Sequence, residues 1–187
     1  QHITSLQRIN RDDFLWMDRF TIKNLELIIN NTESSHTLLS VLDTTVSPMG
    51  ARLLKRWIIF PLKDILKINE RLDTVEYLLK ETDLRNNIAR HIRQCGDIER
   101  LVSRIPMKKI NPREVLQLAR GLKQVETIKQ ICLSCSNEYL IRLGDALNPC
   151  PHIAGKIFRE IVENPPALAI KGGMMNSGVS PELDELR

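Results

Sequence analysis

Aromatic residues make up only 4% of this chain, and no apolar run reaches the roughly 20 residues a membrane-spanning helix needs. With none of them interleaved among the basic residues from Arg85 to Arg113, the first argues against stacking on bases there. The second leaves an ordinary water-facing chain, and the opening "QHITSLQRIN" has no leader character. Phosphate-cradling chemistry is missing as well. Gly50, Gly96, Gly121, Gly144 and Gly155 are scattered, and no glycine pair precedes a Lys-Ser or Lys-Thr in P-loop spacing. Four cysteines in 187 residues are too few for a secreted disulfide scaffold. "CLSC" places Cys132 and Cys135 three apart, but zinc needs a second pair and thioredoxin-like chemistry a βαβ context. An enzyme built on these two thiols is the least favoured alternative, and packed or idle thiols are the preferred one. His2, His36, His91 and His152 stand in no ligand motif, and the acidic pairs read as solvated. The expectation is a chain without catalytic, cofactor or metal residues.

What is present is helix. Hydrophobic residues, mostly Leu and Ile, reach 42%, and they recur at helical spacing. Ile22, Leu25 and Ile29 open the pattern, after a short extended "DFLWMD". Asn30 to Thr37 is polar and reads as a loop. "LLSVLD" is a second helix. Ser47-Pro48 is a cap followed by a proline at the first helical position. The next helix carries Met49, Leu53, Trp57 and Phe60 on one stripe, expected to be buried, with Arg52, Lys55 and Arg56 opposite and Pro61 as its stop. Ile68, Leu72, Val75 and Leu79 set another stripe, followed by Leu84, Ile88 and Ile92 with a stop at Cys95-Gly96. Ile98, Leu101, Val102 and Ile105 precede Pro106. Asn111-Pro112 with Glu114 has capping-box spacing and starts a long helix, on which Val115, Leu118, Leu122 and Val125 form a seam that Lys129 interrupts. Two further helices follow, separated by "PCP". Gly172-Gly173, between short oily runs, predicts a hairpin near residues 167–179. Ser180-Pro181 starts a last helix. The fold class is mainly α and multi-helical, with short β pieces near the N-terminus and at that hairpin.

Charge is unevenly spread along the chain. The net charge is +4 with a pI near 9.0. Arg85, Arg90, Arg93, Arg100, Arg104, Lys108, Lys109 and Arg113 are opposed in their span by Asp97 and Glu99, while Glu160, Glu163, Glu182, Asp184 and Glu185 make the tail acidic. The basic cluster is a candidate contact for a DNA backbone, and equally for a neighbouring domain.

Five of these stretches, "MDRFTIKNLEL", "LLSVLDTTVSPMGARLLKRWIIFPL", "INERLDTVEYLL", "DIERLVSRI" and "ELDELR", together resemble the MutS family of DNA mismatch-recognition proteins, in the family's order. The likeness covers essentially the whole chain. It departs from the family's usual wording after the paired glycines, at "KGGMMNSGVS". The resemblance implies a core, or lever, domain: residues 1–20 as the end of a connector and a lead-in segment, 21–179 as the first pass of the helical core, and 180–187 as the start of a helix leading to a clamp. It implies a non-catalytic fragment of a cytoplasmic parent. That parent would be an ABC-type ATPase using ATP and Mg, act on double-stranded DNA, form a homodimer and hold this core against its own other domains. A returning segment would complete the core, so an apolar face along Val115 to Val125 or on the last helix is expected to lack cover and to drive self-association. The helix from Ser47 to Phe60 becomes a strut, with Trp57 as its buried anchor. The alternative is a stand-alone helical DNA-binding domain using the Arg85 to Arg113 cluster.

Overall fold

A computed structural model describes residues 13–29, 36–167 and 172–186. It is mainly α and divides into two compact units, one of residues 1–45 with 50–77, the other of residues 46–49 with 78–187.

In the first unit, α1 (Arg19–Asn24) begins where the Asp18 carboxylate accepts the Thr21 N–H at 2.7 Å. That bond holds the Asp18 carboxyl below its ordinary value. The helix is shorter than the Ile22–Ile29 spacing predicts. Glu26 takes a left-handed conformation (φ 48°), and the Leu27 and Glu26 N–H groups turn back to the Ile22 and Lys23 carbonyls. Those two bonds close a Schellman-type stop, in which local backbone satisfaction overrides the apolar period. The Glu26 and Leu27 carbonyls then receive the N–H groups of Leu38 and Leu39. α2 (Leu38–Leu42) starts on the buried Thr37, whose hydroxyl accepts the Ser40 N–H at 3.0 Å. Most of the polar loop expected before it, residues 30–35, lies outside the described residues.

α3 (Pro48–Ile59) opens at the proline the sequence singled out and ends before Pro61. The extended lead-in runs antiparallel beside its exit. Phe14 bridges Leu62, and the Leu15 N–H reaches the Pro61 carbonyl at 2.8 Å. Phe60 seats the pair, edge-on to Phe14 at 6.2 Å and tilted on Trp16 at 5.7 Å. This is one isolated bridge, not a strand.

The expected apolar stripe of α3 is only partly covered. Met49 and Phe60 are half-buried, but Leu53 is 47% and Trp57 39% exposed. Trp57 is thus no buried anchor. Its indole instead lies under the Arg71 guanidinium at 3.8 Å, a cation–π contact that suits a half-wet ring. Arg71 comes from α4 (Ile65–Lys80), whose own stripe is equally open at Leu72 and Val75. Exposed apolar side chains are therefore found on α3 and α4, among other places, while Val115, Leu122 and Val125 are half-buried. On the last helix, α10 (Pro181–Glu185), the expectation holds better: Leu183 and the following Leu186 are exposed.

The second unit is organised around one helix. α7 (Pro112–Leu133) spans 22 residues, and α5 (Thr82–Cys95), α6 (Ile98–Arg104), α8 (Glu138–Ala146) and α9 (Pro151–Glu160) all pack on it. The buried side of α7 comprises Pro112, Leu116, Leu118, Ala119, Gly121 and Cys132. Leu101, Leu140 and Ala154 bring the neighbours' contributions, and Cys95 closes α5 against it. Of the predicted seam, Leu118 is buried, while Val115, Leu122 and Val125 are half-buried at its flank.

After α9 the chain returns antiparallel. Ile161 bridges Met175, the Val162 N–H reaches the Met174 carbonyl, and the Asn176 N–H reaches the Glu160 carbonyl at 2.8 Å. The Asn176 amide adds bonds to the Arg159 and Ile161 carbonyls. The hairpin predicted around 167–179 is thus displaced, because the second arm pairs with the end of α9. Residues 168–171 fall outside the described residues. Among those described there is no strand, so the short β pieces reduce to two bridges.

Candidate functional site

The basic cluster is distributed over two helices and the turn between α6 and α7. Arg85, Arg90 and Arg93 stand on α5, Arg100 and Arg104 on α6, and Lys108 and Lys109 follow it. At about 100° per residue the three α5 arginines fan over an arc of about 140°. Arg100 and Arg104 share one face of α6.

Several of these cations hold the fold together. Arg104, half-buried, bonds the Glu114 carboxylate and donates to the Lys109 carbonyl at 2.6 Å. Glu114 also closes the capping box of α7. Its second oxygen accepts the Asn111 N–H at 3.0 Å, and the Asn111 side chain accepts the Glu114 N–H. One carboxylate thereby fixes the start of α7 and ties it to the end of α6. The Arg113 guanidinium donates to the Pro165 carbonyl at 2.8 Å, and Arg90 to the Asn87 side chain at 2.5 Å. Arg93, Arg100, Lys108 and Lys109 are exposed, and Arg85 is half-buried. The groove that Arg100 and Arg104 line also holds Asp97 and Glu114. Its mixed sign suits a protein contact better than a row of phosphates.

Glu114→Ala removes both the cap and the ion pair. We expect a loss of about 2 kcal/mol, roughly one for the cap and one for a partly exposed pair. Glu114→Gln, which can still accept from Asn111, should lose about half as much. Urea unfolding measures both.

The features that lock the second unit carry weaker sequence signals. Gly121 lies in the middle of α7, where glycine is otherwise unfavourable. A Cβ there would stand 2.6 Å from the Cys95 carbonyl oxygen and 3.1 Å from Ile98. The end of α5 and the start of α6 therefore rest directly on bare backbone. Gly144 does the same for α8, since its Cβ would sit 2.8 Å from the Cys132 Cβ. Lys129, which interrupts the predicted seam, caps the end of α8 through the Asp145 and Leu147 carbonyls at 3.2 and 2.8 Å. A mid-helix glycine was the one available cue, and no local pattern marks Lys129 as a cap for another helix.

His91 is half-buried, with Nδ1 2.7 Å from the Gln124 side-chain oxygen on α7. Its ring joins α5 to α7 instead of lying on an open surface. Cys95 and Cys132 are buried, and burial pushes both thiols above their ordinary 9.0. Among the described residues no three His, Cys, Asp or Glu side chains gather as metal ligands. No helix among them is long and apolar enough to cross a membrane.

The described residues thus form a helical hub with a basic flank. The family described as MutS domain III matches residues 20–179. The chain belongs to the MutS family. Over 186 residues it is 50% identical to the DNA mismatch repair protein MutS of Phocaeicola vulgatus, covering all of this chain and 21% of that protein. It is 47% identical to the protein of the same name from Bacteroides thetaiotaomicron, again covering the whole chain and 22% of the relative. The Porphyromonas gingivalis MutS is 41% identical over 187 residues. The chain thus spans about a fifth of the length of the curated relatives it matches. As a MutS domain III, its helices provide the frame in which α7 and its glycine contacts are placed.

Proposed function

We propose that this chain is a non-catalytic lever of a mismatch-repair MutS, coupling an ATPase at one end of the parent protein to a DNA clamp at the other. The supporting observation is α7, 22 residues long, on which four other helices pack. Gly121 and Gly144 allow backbone-close contact, and Lys129, Arg113 and Glu114 add polar ties at separate points. Helices so joined move as one body, which is what transmission requires. In this assignment residues 21–179 form the core, residues 1–20 the end of the connector, and residues 180–187 the way into the clamp. ATP and Mg, double-stranded DNA and a second subunit engage the parent through its other regions.

The test uses the full-length parent. Gly144→Val loosens α8 from α7 without touching the ends of the lever. ATP hydrolysis without DNA and affinity for a mismatched duplex should each stay within a few-fold of the unaltered protein. ATP-driven release of that duplex should slow by about tenfold, within the about 5–150-fold span of typical coupling energies. Unchanged release would refute the lever.

The exposure of Arg93, Arg100 and Lys108 supports a second role, direct contact with the DNA backbone. Neutralising all three would then reduce the salt dependence of duplex binding by about one unit of slope per residue, equally for matched and mismatched DNA. A pure lever leaves the slope unchanged.

A further inference from the structure

The proposed transmission uses the packing of Cys132 but not the sulfur chemistry of the thiol pair at the end of α7, and that pair is closely placed. Cys132 belongs to the last turn of α7, and Cys135 follows the Ser134 cap. Ser134 keeps helical backbone angles, and its N–H still reaches the Gln130 carbonyl, so the two cysteines stand one turn apart. Cys135 folds back over that turn. Its thiol donates to the Cys132 carbonyl at 3.0 Å and lies 3.8 Å from the Asn137 carbonyl. Cys132 is buried against Gly144 of α8, whereas Cys135 is half-buried.

We propose that Cys132 and Cys135 form a reversible disulfide, a redox-sensitive clasp at the turn joining α7 to α8. Residues three apart on a helix hold their Cβ atoms about 5–6 Å apart. A disulfide wants about 3.5–4.5 Å, so closure asks for a shift of about 1–2 Å. Cys132 is pinned by the Gly144 contact, which leaves Cys135 to move. Moving it breaks the thiol's bond to the Cys132 carbonyl and draws the chain away from Asn137. The Asn137 side chain caps α8 by accepting the Leu140 N–H at 2.9 Å. Oxidation therefore loosens the start of α8.

The oxidant is a small disulfide such as glutathione disulfide. The Cys135 thiolate attacks one of its sulfurs, forming a mixed disulfide and releasing one glutathione thiolate. Cys132 then gives its proton to solvent, and its sulfur attacks Cys135 Sγ, releasing the second glutathione. Two protein thiols are oxidised by two electrons, and one glutathione disulfide is reduced to two thiols. Because burial disfavours the Cys132 thiolate, the second step waits on opening of the turn. A clasp that must shift to close is strained, and strained disulfides are readily reduced again.

Trypsin makes the test direct, because cleavage after Lys129 and Arg142 puts both cysteines in one peptide and excludes Cys95 and Cys150. The full-length parent is treated with glutathione disulfide, quenched in acid, alkylated and digested. The peptide from residue 130 to 142 should be lighter by two hydrogens and carry no alkyl group. Amide exchange in the first turn of α8 should quicken several-fold in the oxidised protein and return to its starting rate after dithiothreitol. Cys132→Ser should trap a glutathionyl group on Cys135. A doubly alkylated peptide, a lasting glutathionyl adduct in the unaltered protein, or no adduct in Cys132→Ser would each overturn the proposal.

Discussion

Gly121→Leu is expected to disrupt the second unit strongly. The new Cβ would lie 2.6 Å from the Cys95 carbonyl oxygen, which belongs to backbone and cannot swing aside. The remaining side-chain atoms would drive α5 and α6 off α7. Overpacking of this kind costs about 3 kcal/mol, equivalent to a fall of about 10 °C in melting temperature for a chain of this size. Gly121→Ala is the sharper comparison. Alanine favours an isolated helix by about 1 kcal/mol, so propensity alone predicts stabilisation. The close approach of Cys95 predicts the opposite sign. A melting temperature raised by Gly121→Ala would mean that α5 and α6 do not bear on α7 as described.

Leu118→Ala is the second large effect. Leu118 is 5% exposed on the side of α7 that meets its neighbours. Truncation should cost about 3 kcal/mol, the sum of lost transfer energy and the cavity left behind. Leu53→Ala, on the open stripe of α3, provides the contrast. At 47% exposure that side chain has surrendered only part of its hydration, and its loss should cost under about 1 kcal/mol. Chemical denaturation of both variants tests whether α7, and not α3, carries the core. Equal losses would show that the α3 stripe is covered in solution.

These contrasts mark where the sequence could be read and where it could not. Helix starts were legible because capping is local. Ser47-Pro48, Asn111-Pro112 with Glu114, and Ser180-Pro181 each precede a helix within one residue of the expected place. Helix ends before Pro61 and at Gly96 follow the same logic. The Schellman stop at Glu26 was not legible, because the residue in the left-handed position is not glycine. The exposure of Trp57 was hidden for a different reason. A 3.6-residue apolar period reports that a face is oily, but not which element covers it.

The basic cluster shows the same division. Its residues could be named from charge alone, and Arg93, Arg100 and Lys108 do lie exposed. Arg104 and Arg113 were grouped with them, yet they bind Glu114 and the Pro165 carbonyl. The Arg113 bond joins residues 52 positions apart, and no local pattern encodes it.

By itself the sequence determined the mainly α class, the order and starts of the helices, and the family. All three rest on short-range chemistry: caps, prolines, apolar periodicity and contiguous stretches of recognisable wording. Tertiary structure alone decided that α7 is the hub, that Gly121 and Gly144 let its neighbours touch backbone, and that Lys129 caps another helix. It also decided which cations serve the fold. These depend on atoms brought together from distant parts of the chain, where packing sets the partner and local propensity has no say.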